Sequence, residues 1–421
     1  MTRLIERARA LDAQDSLASL RDRFALPAGK DGQPLLYLCG HSLGAAPRDA
    51  RRRVEEELDD WEQLGVNGHH AGRRPWIDYA ELLTKPLARL VGALEPEVVA
   101  MNSLTVNLHL LLASFYRPQG RRRLIVMEAG AFPSDRHAVV GQLQWHGLDP
   151  ADALIEMAPA AGTDLLDVEQ LEQFLARRGD EVALVLWPGV QYLTGQAFDL
   201  ARVARAARAC GAVCGFDLAH AIGNIPLSLH DSGADFAVWC SYKYLNGGPG
   251  AIGGAFVHER HAQAKLPRLA GWWGHEAATR FRMGPEFHPS PGAAGWQVSN
   301  PPILSTAPLL ASLALFEAAG ISALRAKSLA MHALLLEELD THHASRLQCV
   351  TPRDPAQHGC QLSLRVRGGR ATGRALFEQL EANGVVLDWR EPDILRIAPV
   401  PLYNRFVDIA LLLQKLEQLS A

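Results

Sequence analysis

The chain has 421 residues, 48% of them apolar and 21% charged, with 42 Lys and Arg against 46 Asp and Glu for a formal charge of −4. These proportions exclude a disordered, collagenous or coiled-coil protein, and six cysteines are too few for a disulfide scaffold. The near-neutral balance gives no sign of a nucleic-acid partner or an anionic membrane surface.

The stretch Met1–Leu20 mixes Arg, Asp, Glu and Gln, and has no apolar core of the kind a signal peptide needs. No apolar run reaches the ~18 residues of a spanning helix, so a cytoplasmic protein with reduced cysteines is expected. After one or two helices, Leu35–Leu38 predicts a short strand, and Cys39-Gly-His-Ser42-Leu-Gly44 a tight loop. From Pro47 a helix is expected, with Ala50, Val54, Leu58 and Trp61 on its apolar face. The blocks Arg51–Arg53 and Glu55–Glu57 are expected to be solvated i,i+4 pairs on its other faces.

Asn102-Ser-Leu104-Thr105-Val-Asn107 reads as a helix start before the apolar Leu108–Phe115. Strands are then predicted at Leu124–Met127, Val182–Trp187, Val213–Phe216, Phe236–Trp239 and Ala251–Val257, with a helix at Asp199–Cys210. Strands apolar on both faces and separated by helices predict an α/β domain with a mostly parallel sheet. The last third reads as a smaller α+β unit. Its elements are a helical region from Leu304 to about Ser345, strands at Gln361–Val366, Val385–Trp389 and Ile394–Ile397, and helices at Ala371–Asn383 and Asn404–Leu419.

In such sheets ligands bind beyond the carboxyl ends of the strands. There the sequence places Phe132, Pro133, Ser134 and Asp135 after the first strand, Asp217 and His220 after the third, and Ser241-Tyr242-Lys243-Tyr244 after the fourth. A lysine at the edge of a buried sheet is desolvated, which disfavours its charged form and suits a Schiff-base amine. A carboxylate ending an apolar strand needs a cationic partner, and a pyridinium N–H would serve. Phe132 can stack on a flat ring, and the helix start at Ser103–Thr105 can take an anion. Taken singly, each has a plainer reading: a snorkelling lysine, a helix cap, a core phenylalanine, an ordinary capped helix. A metal set of Asp217, His220 and His230 lacks further ligands at a standard spacing. Cys210 and Cys214 read as core or helix residues, and His342-His343 as an exposed helix end.

Six segments together resemble the kynureninase family, on the aspartate-aminotransferase-type fold of pyridoxal-phosphate enzymes. They are Met101–His109, Ala131–Asp135, Gly215–His220, Ser241–Asn246, Val298–Pro302 and Arg396–Tyr403. The resemblance implies a fold-type-I pyridoxal-phosphate-dependent transferase-like architecture. In it, residues 1–60 contribute to the small domain, 61–303 form the large cofactor-binding domain with a seven-stranded-type sheet, and 304–421 form the C-terminal small domain. It implies the cofactor pyridoxal 5'-phosphate, with Lys243 as its Schiff-base lysine, Asp217 on the pyridinium nitrogen and Phe132 stacked on the ring. Leu104, Thr105, Pro133, Ser134, Asp135, His220 and Tyr242 would complete the cradle, with Tyr242 also moving a proton. Trp272 and Asn300 would complete the site across a homodimer interface. Ser42, His69, Asn300 and Arg396 would meet the substrate, with Arg396 on its carboxylate. Pro188 offers no donor and is left out. The implied reaction is hydrolytic Cβ–Cγ cleavage of L-kynurenine, or of the 3-hydroxy form that the His69 and Asn300 pair resembles, in tryptophan catabolism or NAD biosynthesis. A cysteine desulfurase using Cys349 or Cys360, and an aminotransferase, are the alternatives on the same fold.

Overall fold

The computed structural model describes residues 2–30 and 32–419. Its centre is a seven-stranded sheet. In spatial order the strands are Val98–Ala100, Gly254–Val257, Phe236–Trp239, Val213–Asp217, Val182–Pro188, Leu124–Glu128 and Leu154–Met157. Gly254–Val257 runs antiparallel to both of its neighbours, and the other pairs are parallel. Side chains alternate across the pleat, so each strand feeds two cores. Val126, Val185, Phe216 and Ala237 pack on one face, and Ile125, Met127, Leu184, Leu186 and Val238 on the other. Every residue of Leu124–Glu128, Val182–Pro188 and Phe236–Trp239 is buried, which is why these strands read as continuous apolar runs. The helix Leu200–Ala209 covers one face with Leu200, Val203, Ala204 and Ala207.

The carboxyl-terminal part holds a four-stranded antiparallel sheet of Leu347–Cys349, Leu362–Val366, Ile394–Ile397 and Asp388–Arg390. The predicted strand Val385–Trp389 is instead two short pieces. Val385–Val386 pairs in parallel with Leu36–Tyr37, and Asp388–Arg390 joins the four-stranded sheet. Leu4, Ala8, Leu36 and Leu38 lie in one core with Leu364, Leu380, Ile397, Ile409 and Leu413. The predicted helical region from Leu304 breaks at Gly320 into Ile303–Ala319 and Ile321–Glu338. The second helix ends in a π-turn, Leu339–His343, in which His343 is buried, so that pair is not simply an exposed end.

The helix expected from Pro47 spans Asp49–Leu64, and two expectations for it are corrected. Trp61 is 60% exposed, whereas Glu57 is buried. Glu57 accepts from Arg74 at 2.7 Å, Trp76 Nε1 at 3.0 Å and the Tyr79 hydroxyl at 3.0 Å. These donors come from a segment folded across the helix, which helical spacing alone does not reveal. Arg52 and Glu56 do pair at i,i+4, at 2.6 Å. Among the described residues no single helix is long and apolar enough to cross a membrane.

Candidate active site

The carboxyl ends of the parallel strands open on a cavity of about 190 Å³. One wall is the start of the helix Leu104–Phe115. Asn107 ties that start to the sheet, donating to Met101 O at 2.9 Å and Gly254 O at 3.3 Å. The Ser103 side chain makes no cap, so first-turn N–H groups of this twelve-residue helix remain for an anion, beside the Thr105 hydroxyl. The opposite wall is the strand end Asp217. Between them lie Phe132 and Lys243, with the Lys243 Nζ 5.6 Å from the Phe132 ring centroid and 5.8 Å from that of Tyr242.

The lysine loop is held from two sides. Gly44 N donates to Tyr242 O at 2.8 Å, and Gly247 N to Ser241 O at 2.8 Å. A Cβ on Gly44 would collide with the Lys243 carbonyl and Asn246, so only glycine lets the Cys39–Gly44 loop dock there. Asn246 closes the turn at φ +51.

Three carboxylates converge behind the lysine. Burial and the neighbouring Asp217 push the Asp135 carboxyl well above the usual range. Burial pushes Glu128 up to about 8, with Asp217 adding to the shift. One buried oxygen on each, Glu128 Oε2 and Asp135 Oδ1, has no partner. Buried imidazole His220 is held neutral, its pKa driven well below 6.5 by burial and by Lys243. Burial likewise raises the Tyr242 phenol, keeping it protonated at neutral pH. The cavity therefore offers a helix start for an anion, an aromatic face, an amine, and carboxylates that lack a buried donor. Taken together, these groups fit pyridoxal phosphate.

Of the residues expected from the sequence, the cavity gathers Leu104, Thr105, Phe132, Ser134, Asp135, Asp217, His220, Tyr242 and Lys243. Pro133 opens the helix Pro133–Trp145 beside them. Pro188, left out above, lines the wall as well. Arg396 is buried nearby, donating to the Tyr192 carbonyl at 2.6 Å and to Ser42 Oγ at 3.4 Å. Tyr192, overlooked in the sequence, links the two regions. Its ring lies 5.4 Å from Phe132 and 5.9 Å from the Arg396 guanidinium carbon. Its place four residues after Pro188 was the available signal. Asp388 and His41, which also meet around Arg396, gave none.

Ser42 and Arg396 lie beside the cavity without lining it, and three further expected residues sit apart from it within the chain. Trp272 is 46% exposed and donates to Arg280 O, Asn300 is exposed, and His69 packs edge-on against Trp76. His230 does not join Asp217 and His220 in a metal set; it binds Glu97 at 3.0 Å. Glu97 also accepts the backbone N–H groups of Leu94 and Glu259, and the nearby His258 side chain accepts that of Arg260. Cys360 is buried with its thiol raised to about 12, and Cys240, which does line the cavity, is raised to about 11, both by burial.

Comparison with solved structures shows the same fold-type-I architecture in known proteins. A cysteine desulfurase from Thermococcus onnurineus superposes with a TM-score of 0.75 at 18% identity, over 91% of this chain and 94% of the other. A cysteine desulfurase from Escherichia coli gives 0.74 at 18% identity, over 96% and 98%. Residues 324–416 match the kynureninase C-terminal domain. Kynureninase from Xanthomonas campestris is 60% identical over 98% of this chain and 97% of its own length, and that of Xanthomonas oryzae 59% identical over the full length of both. The chain belongs to the kynureninase family.

Proposed function

We propose that this chain is a pyridoxal-phosphate-dependent hydrolase acting on carbon–carbon bonds. It cleaves the Cβ–Cγ bond of L-kynurenine or its 3-hydroxy form, giving anthranilate or 3-hydroxyanthranilate and L-alanine. The observation that carries this is the convergence of Lys243, Phe132, Asp217 and the helix start at Leu104 on one cavity, with Arg396 one aromatic ring away.

Bound pyridoxal phosphate supplies an electron sink for charge developing at the substrate Cα. Leu104, Thr105, Ser134 and Tyr242 would hold its phosphate, Phe132 and His220 its ring, and Asp217 with Asp135 the proton on its nitrogen. Arg396 and Ser42 would hold the substrate carboxylate, orienting Cα toward the Lys243 amine, which removes the Cα proton. Water adds to the aryl ketone, and the bond to Cβ then breaks. Tyr242, a phenol kept protonated by burial, donates the proton that completes alanine.

We also read the protein as a cytoplasmic homodimer. Trp61, Val66, Trp272, Phe281 and Met283 are large apolar side chains left exposed, and Ala50, Val54 and Leu58 line an open apolar groove with Pro249 and Pro308. In a dimer Trp272, Asn300 and His69 would reach the partner's cavity, with His69 and Asn300 favouring the 3-hydroxylated substrate. The division into residues 1–60, 61–303 and 304–421 goes with this reading. All six cysteines are free, as a reducing compartment requires.

The test is product analysis of the holoenzyme with L-kynurenine and with 3-hydroxy-L-kynurenine. Equimolar alanine and a fluorescent anthranilate are expected. Release of sulfide from cysteine, or an oxo acid in place of alanine, would overturn the reading.

A further inference from the structure

Arg396 is almost wholly enclosed, at 1% exposure, and its donors are unevenly used. Nε and Nη2 both go to Asp388 Oδ2, the first at 2.5 Å. Nη1 donates to the Tyr192 carbonyl. Of the five guanidinium donors this leaves one on Nη1 and one on Nη2, and the Nη2 donor meets Ser42 Oγ at 3.4 Å, long for a hydrogen bond. Asp388 Oδ2 also accepts from Arg390 Nε at 2.9 Å, and it lies 3.7 Å from His41 Nε2. Against the cost of burial, the neighbouring His41 and then the Arg396 and Arg390 guanidinium groups hold the Asp388 carboxyl far below the usual carboxylate range. His41 is held neutral, its pKa lowered to about 3 by burial. Two cations and one anion therefore leave a single net positive charge around this point, with one donor on each terminal nitrogen of Arg396 left for a second carboxylate.

We infer that Asp388 is a positioning residue that fixes the Arg396 guanidinium by its inner edge and thereby presents the outer fork to the substrate carboxylate. This rests on the reading of Arg396 as the carboxylate clamp. Asp388 reaches the site by strand pairing: its own strand runs antiparallel to that of Arg396, with the two residues directly opposite in register. Directly opposed residues on one face of an antiparallel pair are within side-chain reach, so the pairing itself sets the approach. A simple counter-ion would weaken carboxylate binding by competition. A positioning residue strengthens it by removing the rotamer freedom that binding would otherwise have to freeze out.

The two roles predict opposite signs. The probes are 4-oxo-4-phenylbutanoate, which lacks the amine needed for turnover, and its primary carboxamide, measured as competitive inhibitors of the holoenzyme. In the unaltered enzyme the acid should bind more tightly than the amide. In Asp388→Ala the acid should weaken on the order of tenfold or more while the amide barely changes, with KM for kynurenine rising far more than kcat falls. Asp388→Asn keeps the volume and one acceptor oxygen, so it should fold and recover part of the loss. If either variant binds the acid as tightly as the unaltered enzyme, or more tightly, the inference is wrong. Arg396→Gln separates the two readings. If it too keeps the preference for acid over amide, Arg396 is not the clamp at all. If it abolishes the preference and the Asp388 variants do not, only the positioning role fails.

Discussion

The Lys243 amine lies 5.6 Å from the centroid of the Phe132 ring, although the two residues come from the ends of different strands. In the proposed reading, Phe132 would hold the cofactor ring and Lys243 would supply the amine that binds it. Lys243→Ala should lose the visible absorbance of the covalently held cofactor and all measurable turnover, while melting as a folded protein. A Lys243→Ala protein with the original spectrum and rate would refute the assignment.

Asp217 lies close enough to Asp135 to help push the Asp135 carboxyl up, and it accepts Ala219 N at 2.7 Å. Asp217→Asn replaces the carboxylate proposed to face the ring nitrogen. Its kcat should fall on the order of a hundredfold or more, the scale on which removal of a preorganised electrostatic partner acts. Steady-state kinetics alongside the absorbance spectrum would show whether the cofactor stays bound.

The Glu128 carboxyl ionises near 4.5 in an unfolded chain and at about 8 in the fold. Between those values the folded chain binds more protons than the unfolded one, so this group makes stability decline as pH rises through the window. In cofactor-free protein, Glu128→Gln should therefore gain melting temperature relative to the original chain from about pH 5 to about pH 8. Parallel curves for the two proteins over that range would contradict it.

Tyr242 is a phenol raised by burial, so it is a proton donor rather than a phenolate across the working pH range. Tyr242→Phe should keep the cofactor with modestly weakened affinity and lose most of kcat. A solvent isotope effect that changes in the variant would place the defect in a proton transfer.

A desulfurase-like reaction would draw on Cys349 or Cys360, whose thiols burial pushes up, and the cavity-lining Cys240 is raised by burial as well. Cys240 and Cys360 are raised to about 11 and about 12 by burial. Cys240→Ala and Cys360→Ala should leave turnover within a few-fold, and cysteine should yield no sulfide. Loss of activity in Cys360→Ala without loss of fold would reopen that alternative.

Sequence alone determined five of the seven strands of the central sheet and the strand-end residues Phe132, Asp135, Asp217 and Lys243. Buried parallel strands announce themselves as unbroken apolar runs, and whatever follows each of them is delivered to one rim. It also carried the ordered segments that mark the family, because those motifs are contiguous in the chain. The strands Val98–Ala100 and Leu154–Met157 were missed, the first too short and the second too exposed to stand out as an apolar run. Only the tertiary structure decided that Glu57 is buried among Arg74, Trp76 and Tyr79, that Tyr192 joins the ring cradle to Arg396, and that Asp388 occupies one edge of Arg396. Each of these depends on two elements meeting through packing or strand register. A one-residue change of register would move Asp388 to the other face of its sheet, and no local spacing in the sequence records which face it takes.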